Sequence, residues 1–142
     1  MNALEPNLNS FDESDAWRLG SLMRELADKR NYPVAIDIRS GDTPLFSVLM
    51  PGATEVNFNW ARRKRNLVLL TGRSTWFHQE HRLAGNDILV EQNLDPANYA
   101  SHGGGVPIYV DGKLAATVVV SGLPSKEDHD FVIECLELLG AD

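Results

Sequence analysis

An α+β fold, with a mainly antiparallel sheet flanked by helices, is the architecture that the sequence predicts. Three observations lead there. Strand-like runs come in two pairs, 34–39 with 45–50 and 106–110 with 114–120, each pair joined by a tight turn. Segments of helical periodicity stand before, between and after those pairs. The chain has 142 residues, and at ~100 to 200 residues per domain that implies one domain spanning 1–142.

Each element has its own signal. Ser10-Phe11-Asp12-Glu13 has the form of a capping box, and Leu19, Leu22, Met23 and Leu26 recur at i, i+3, i+4 and i+7 beyond it, which places them on one helical face. A helix is expected from about residue 11 to about 30, ended by Asn31-Tyr32-Pro33, since proline disfavours helical geometry in the residue before it. Val34, Ile36 and Ile38 then alternate with small or polar partners, and Leu45 to Met50 answers them across the turn Ser40-Gly41-Asp42, as in an antiparallel hairpin. Trp60, Ala61, Lys64, Leu67 and Val68 lie together on a helical wheel, so 57–70 is read as a helix stopped at Thr71-Gly72, with a further helix from Ser74 to Gly85. Asp111-Gly112 between apolar runs is a strong hairpin signal because that turn needs positive φ. Ser125 is the expected N-cap of a last helix whose apolar face is Phe131, Val132, Cys135, Leu136, Leu138 and Leu139, with Gly140 as its stop.

Composition narrows the function classes. Thirteen Lys and Arg against twenty Asp and Glu give a net charge of −7, which argues against a general nucleic-acid binder. A single cysteine, Cys135, cannot form an internal disulfide and is expected to be a core thiol in a reducing cytoplasm. Residues 1–7 lack the basic start and apolar run of a secretory signal. No stretch reaches the ~18 apolar residues of a membrane span. A cytoplasmic protein with no membrane or nucleic-acid partner is expected.

The most distinctive pattern is His102-Gly103-Gly104-Gly105-Val106-Pro107-Ile108. Three glycines without Cβ let backbone N–H groups approach a ligand closely, and such a concavity suits a carboxylate or phosphate; the simpler reading is a sharp bend before a strand. The glycines precede a strand, so this is not a dinucleotide fingerprint. His102 beside them is the candidate ligand or proton-transfer group. His78 and His81, at i and i+3, lack a third ligand, so no metal is expected. His129 reads as a capping or interface group. Arg62-Arg63-Lys64-Arg65 concentrates four of the thirteen basic residues. The simpler reading makes that run a solvated or subunit-facing surface; the functional one has Lys64 or Arg63 reach an anionic ligand with Trp60 as an apolar wall. Ser121 has no nucleophile elbow around it.

Taken together, Trp60-Ala61-Arg62-Arg63-Lys64, the His102 to Ile108 segment, and Val120-Ser121-Gly122-Leu123-Pro124 followed by Asp128-His129 resemble an uncharacterised protein family within the haem-degrading-domain superfamily, the GlcG and HbpS-like proteins. The resemblance covers about residues 10 to 140. It implies a profilin-like fold, assembly into homo-oligomers, and binding of haem or another small ligand.

Two readings follow. In the first the chain is an oligomeric small-ligand-binding protein with haem as a possible cofactor, its site built from His102, Gly103, Gly104, Gly105, Lys64 and Trp60. In the second it is a non-enzymatic interaction or scaffold protein in which the same loop and basic helix make protein contacts. Whether it is an enzyme stays open, because the sequence assembles no full set of nucleophile, base and oxyanion donor.

Overall fold

The computed structural model describes residues 6–140, and the reading of the N-terminal segment for a secretory signal falls largely on residues outside them. The elements run β1 (Asn7–Leu8), α1 (Glu13–Arg30), β2 (Ala35–Ser40), β3 (Thr43–Leu49), α2 (Glu55–Thr71), α3 (Thr75–Leu83), α4 (Ile88–Glu91), β4 (Gly105–Val110), β5 (Lys113–Ser121) and α5 (Ser125–Gly140). Among the described residues the strands form one sheet in the order β1-β4-β5-β2-β3. Both expected hairpins are present and antiparallel, and β2 and β5 also pair antiparallel. The short β1 was not anticipated; it runs parallel to β4 and makes the sheet mixed. Among the described residues no helix is long and apolar enough to cross a membrane.

The alternation of β2 and β5 sets the layers. Val34, Ile36, Ile38, Val118 and Val120 face a core shared with Leu19 and Met23 of α1 and Phe131, Val132 and Cys135 of α5. Leu19 and Met23 are fully buried, and burial of such a side chain stabilises the fold by about 1.5–3 kcal/mol. The opposite face of the sheet carries α2, which packs on β5, β4 and β2. That is why the intervening strand residues Asp37, Thr117, Val119 and Ser121 are buried as well. Of the polar groups at those positions the Asp37 carboxylate finds partners inside the protein, in Arg39, Ser47 and Arg65, whereas Thr117 Oγ1 has none.

Several boundaries differ from expectation for local reasons. The first helix is capped by Asp12 and not by Ser10: Asp15 N–H donates to Asp12 Oδ1 at 3.0 Å and Asp12 N–H to Asp15 Oδ2 at 2.9 Å. Helical geometry begins at Glu13, so the box shifts by two residues and Ser10 stays outside it. The same helix ends at Asn31, which adopts the left-handed conformation with φ 55° before Pro33 is reached. Thr54 and Asn57 form a capping box on α2, and Gly72, with φ 71°, stops it as expected. Ser74 caps α3. In the second hairpin Asp111 and Gly112 have φ of 51° and 77°, the two positive values that its turn requires. Ser125 is the first helical residue of α5 and not its cap; from the first turn the Asp128 carboxylate reaches back to the preceding turn, accepting from Leu123 N–H at 2.9 Å and Gly122 N–H at 3.4 Å.

The largest correction concerns the basic run. A solvated surface was the simpler expectation for Arg62 to Arg65, yet Lys64 is 2% exposed and Arg65 8%. Each is buried because a carboxylate distant in sequence meets it: Lys64 pairs with Asp128 at 3.1 Å and Arg65 with Asp37 at 3.0 Å. Cys135 lies in the core as expected, and burial, helped by Glu134, pushes its thiol up to about 12.

Candidate functional site

One face of α2 presents Asn57, Trp60 and Lys64, at i, i+3 and i+7, to a cleft of about 390 Å³. The loop before β4 adds His102, the end of β5 adds Ser121, and the start of α5 adds Ser125 and Asp128. Three segments far apart in sequence therefore wall a single cavity, whose volume lies at the small end of the ~300–1,000 Å³ range of ligand pockets.

Lys64 and Asp128 form its floor. The Lys64 ammonium donates to Asp128 Oδ2 and to Val120 O, both at 3.1 Å. Burial pulls the Lys64 ammonium below its ordinary value and pushes the Asp128 carboxyl above its own, while their mutual attraction opposes both movements. Desolvation outweighs pairing on each side, so this pair is held closer to neutrality than an exposed one would be.

The His102 ring meets Trp60 edge-on, with ring centres 5.1 Å apart. The second neighbour of Trp60 is Arg63, whose guanidinium lies 4.2 Å from the indole centre. His102 Nδ1 lies 3.4 Å from Arg82 Nη2, and Arg82 is itself fixed by Ser101 Oγ at 3.1 Å. A guanidinium only donates, so Nδ1 supplies the lone pair and the ring proton sits on Nε2. Burial first, and then Arg82, Lys64 and Arg63, hold His102 below its ordinary value of 6.5, with Asp87 opposing. The imidazole is neutral at pH 7 and stands in a field with a positive lean.

Of the six residues expected to form a site, Trp60, Lys64 and His102 meet in this cleft, while Gly103, Gly104 and Gly105 lie behind it. Two glycine N–H groups are engaged within the protein: Gly103 donates to Gln79 Oε1 at 2.7 Å and Gly105 to Thr75 Oγ1 at 2.9 Å. Gly104 has φ +133°, and a Cβ there would collide with Val120 O and stand 2.8 Å from Lys64 Nζ. The triplet thus lets the chain pass between helices and reach the Lys64–Asp128 pair. A ring of free N–H donors is not what it provides.

Sequence reasoning gave Asp128 only as part of a motif, with no role in the site, and did not single out Asn57 or Arg82. Asp128 had a legible signal: a lysine on an otherwise apolar helix face requires an acid, and Asp128 is one of the acids at the start of the last helix. Arg82 had none. Two of the other histidines have local partners, while the buried Nδ1 of His129 has none. His78 Nε2 lies 2.8 Å from Thr71 Oγ1 and His81 Nδ1 lies 2.9 Å from Phe77 O. His129 stacks near Trp76 at 6.1 Å, where a capping or interface contact was expected. Among the described residues no group of His, Cys, Asp and Glu is arranged to hold a metal.

A five-stranded mixed sheet with helices on both faces, and a polar cleft between α2, α5 and a glycine-rich loop, define a class of small α+β proteins. The chain belongs to the family described as "Haem degrading protein HbpS-like", whose model matches residues 11–137. Curated relatives include a UPF0303 protein of Rhizobium rhizogenes, 47% identical over 132 residues that cover 92% of this chain and 81% of the relative. A UPF0303 protein of Streptomyces avermitilis is 46% identical over 132 residues, with the same coverage of 92% and 81%. Among solved structures, Ybr137w superposes with a TM-score of 0.84 at 29% identity, over 96% of this chain and 82% of that one. The PduOC:heme complex gives 0.77 at 22% identity, over 90% and 94%. HbpS gives 0.71 at 19%, over 99% and 96%. At such identities the last two likenesses are of fold.

Proposed function

We propose that this protein binds a small, acid-bearing organic ligand in the cleft between α2, α5 and the 101–105 loop, and that haem is the ligand to test first. The observation that carries the reading is the convergence of Trp60, Lys64 and His102 on one cavity of about 390 Å³. Trp60 gives a flat apolar wall. An ammonium has three donors; Val120 O and Asp128 take two of those on Lys64, leaving one for a carboxylate, and the cations around His102 favour a negative group. The family description and the haem complex of the PduOC neighbour support haem as the first choice.

The residues fit the acid groups and flat ring of haem, but they do not fit iron ligation by His102. An imidazole that ligates through Nε2 donates its Nδ1–H to an acceptor, whereas here Nδ1 faces the guanidinium of Arg82 at 3.4 Å. His102 therefore acts through its Nε2–H, as a donor to the ligand.

The test is titration of the purified protein with haemin, followed by absorbance, beside the Trp60→Ala and His102→Gln variants. The expected result is a saturable change that each variant weakens by about tenfold, equivalent to ~1.4 kcal/mol. Absorbance that never saturates, or equal affinity in all three proteins, overturns the reading. Self-association accompanies this proposal. Leu70, Leu83 and Val90 are 54%, 69% and 76% exposed on α2, α3 and α4, and a homo-oligomer would cover them; sedimentation as a monomer at micromolar concentration would exclude it.

A further inference from the structure

A second cavity, of about 380 Å³, opens where β2 and β3 meet α2, and it shares no lining residue with the first. Its centre is Asp37, a β2 side chain that is 1% exposed. Three donors converge on that one carboxylate: Arg39 Nε at 2.9 and 3.1 Å, Ser47 Oγ at 2.9 Å, and Arg65 Nη1 at 3.0 Å. Arg62 lines the same cleft but is tied to Asn59 Oδ1, Asn98 Oδ1 and Ala97 O. It supplies charge and a fixed wall. Phe58 supplies an apolar one.

The charges here do not balance. Three guanidinium groups stand around one carboxylate, in a protein whose net charge is −7. The buried part, Arg65 against Asp37, is balanced; the excess positive charge sits on Arg39 and Arg62, which are partly exposed where the cleft meets solvent. One donor is also left over: Arg65 is 8% exposed, and its Nε has no hydrogen-bond partner. That Nε is itself out of reach of solvent, as are the likewise unpartnered Thr117 Oγ1 and His129 Nδ1, so an anion would meet the outer edges of the guanidinium groups. Planar guanidinium forks match carboxylate and phosphate oxygens in pairs.

We propose that this cleft is a second binding site, for a small oxyanion, either a carboxylate or a phosphate, held by Arg39 and Arg65 with any organic portion lying against Phe58. Asp37 holds the two guanidinium groups in place and competes with the ligand for their donors. The proposal is independent of the ligand reading for the Trp60 cleft.

The probes are inorganic phosphate and succinate, titrated into the 142-residue protein against sodium chloride at equal ionic strength, with calorimetry and amide NMR as readouts. One of the two probes is expected to saturate, with shifts concentrated at 37–39, 47 and 58–65. Arg39→Gln should weaken that binding at least tenfold, and Asp37→Asn should tighten it severalfold. His102→Gln should leave it unchanged, which separates this site from the first. Which probe saturates identifies the class of anion. If neither differs from chloride, or if the shifts gather instead around His102 and Ser125, the proposal is wrong. Because the NMR map uses the unmodified protein, it decides the matter even if a variant fails to fold.

Discussion

Replacing Lys64 with methionine keeps an unbranched side chain, one atom shorter, and removes its charge. In the native protein the ammonium lies 3.1 Å from Asp128 Oδ2, and the two side chains are 3% and 2% exposed. Two unit charges at that separation attract by about 5 kcal/mol at an effective dielectric of ~20, against a desolvation penalty of several kcal/mol per ion. The intact pair is therefore close to break-even, whereas removing one partner leaves the other charge buried. Asp128 would keep the Leu123 and Gly122 N–H bonds, so the expected destabilisation is about 3 kcal/mol at pH 7, at the lower end of the ~3–5 range for a broken buried pair. The sign with pH follows from the carboxyl. Burial already raises its affinity for a proton, and losing Lys64 raises it further. The folded variant then takes up a proton before the unfolded chain does, and its deficit shrinks as pH falls. Urea unfolding followed by circular dichroism at pH 7 and pH 5 measures both effects. In the double variant with Asp128→Asn the loss should fall short of the sum of the single losses by at least ~2 kcal/mol. A loss below about 1 kcal/mol for Lys64→Met, or additive losses in the double variant, would refute the argument.

Two other perturbations test separate parts of the fold. Gly104→Ala should cost about 1–3 kcal/mol in backbone strain, and more through the collision with Val120 O and Lys64. Gly85→Ala, also at positive φ but with nothing within 4 Å, should cost the strain alone; thermal melts that place the two variants together would show that space around Gly104 is not the constraint. Burial, reinforced by the charges of His81 and Arg73, pushes His78 down from 6.5 to about 4. A base held neutral in the fold contributes stability that is present above pH 6.5 and is lost as pH falls towards 4, because only the unfolded chain takes up the proton. The gap is worth at most about 3 kcal/mol, and about half of that after solvent screening. His78→Gln can keep a bond to Thr71 and should flatten the decline between pH 6.5 and 4; equal slopes in the two proteins would contradict it.

The elements with local causes were legible in the sequence. The Asp111-Gly112 turn, the Gly72 stop and the alternating β2 run each depend on residues a few positions apart. The parallel pairing of Asn7 with Tyr109 depends on a contact about a hundred positions away, and a two-residue strand carries no periodicity of its own. Lys64 and Arg65 were misread for the same reason. Charge implies solvent only when no partner is known, and their partners lie 64 and 28 positions away. Trp60, Lys64 and His102, singled out by residue type and spacing, line one cleft. For the glycines the simpler reading, a sharp bend before a strand, agrees with the structure; the ligand reading depended on free N–H groups, and those of Gly103 and Gly105 are taken by Gln79 and Thr75, 24 and 30 residues earlier.

Lys64 and Arg65 are successive residues of α2, yet one is fastened to α5 and the other to β2. A helix held at adjacent points by two different elements has no free direction in which to roll. Turning it one way strains the Asp128 tie, and turning it the other way strains the Asp37 tie. The partition between the two cavities is thus a stiff common wall. Both cavities therefore share one wall whose placement is set by two buried ion pairs at once.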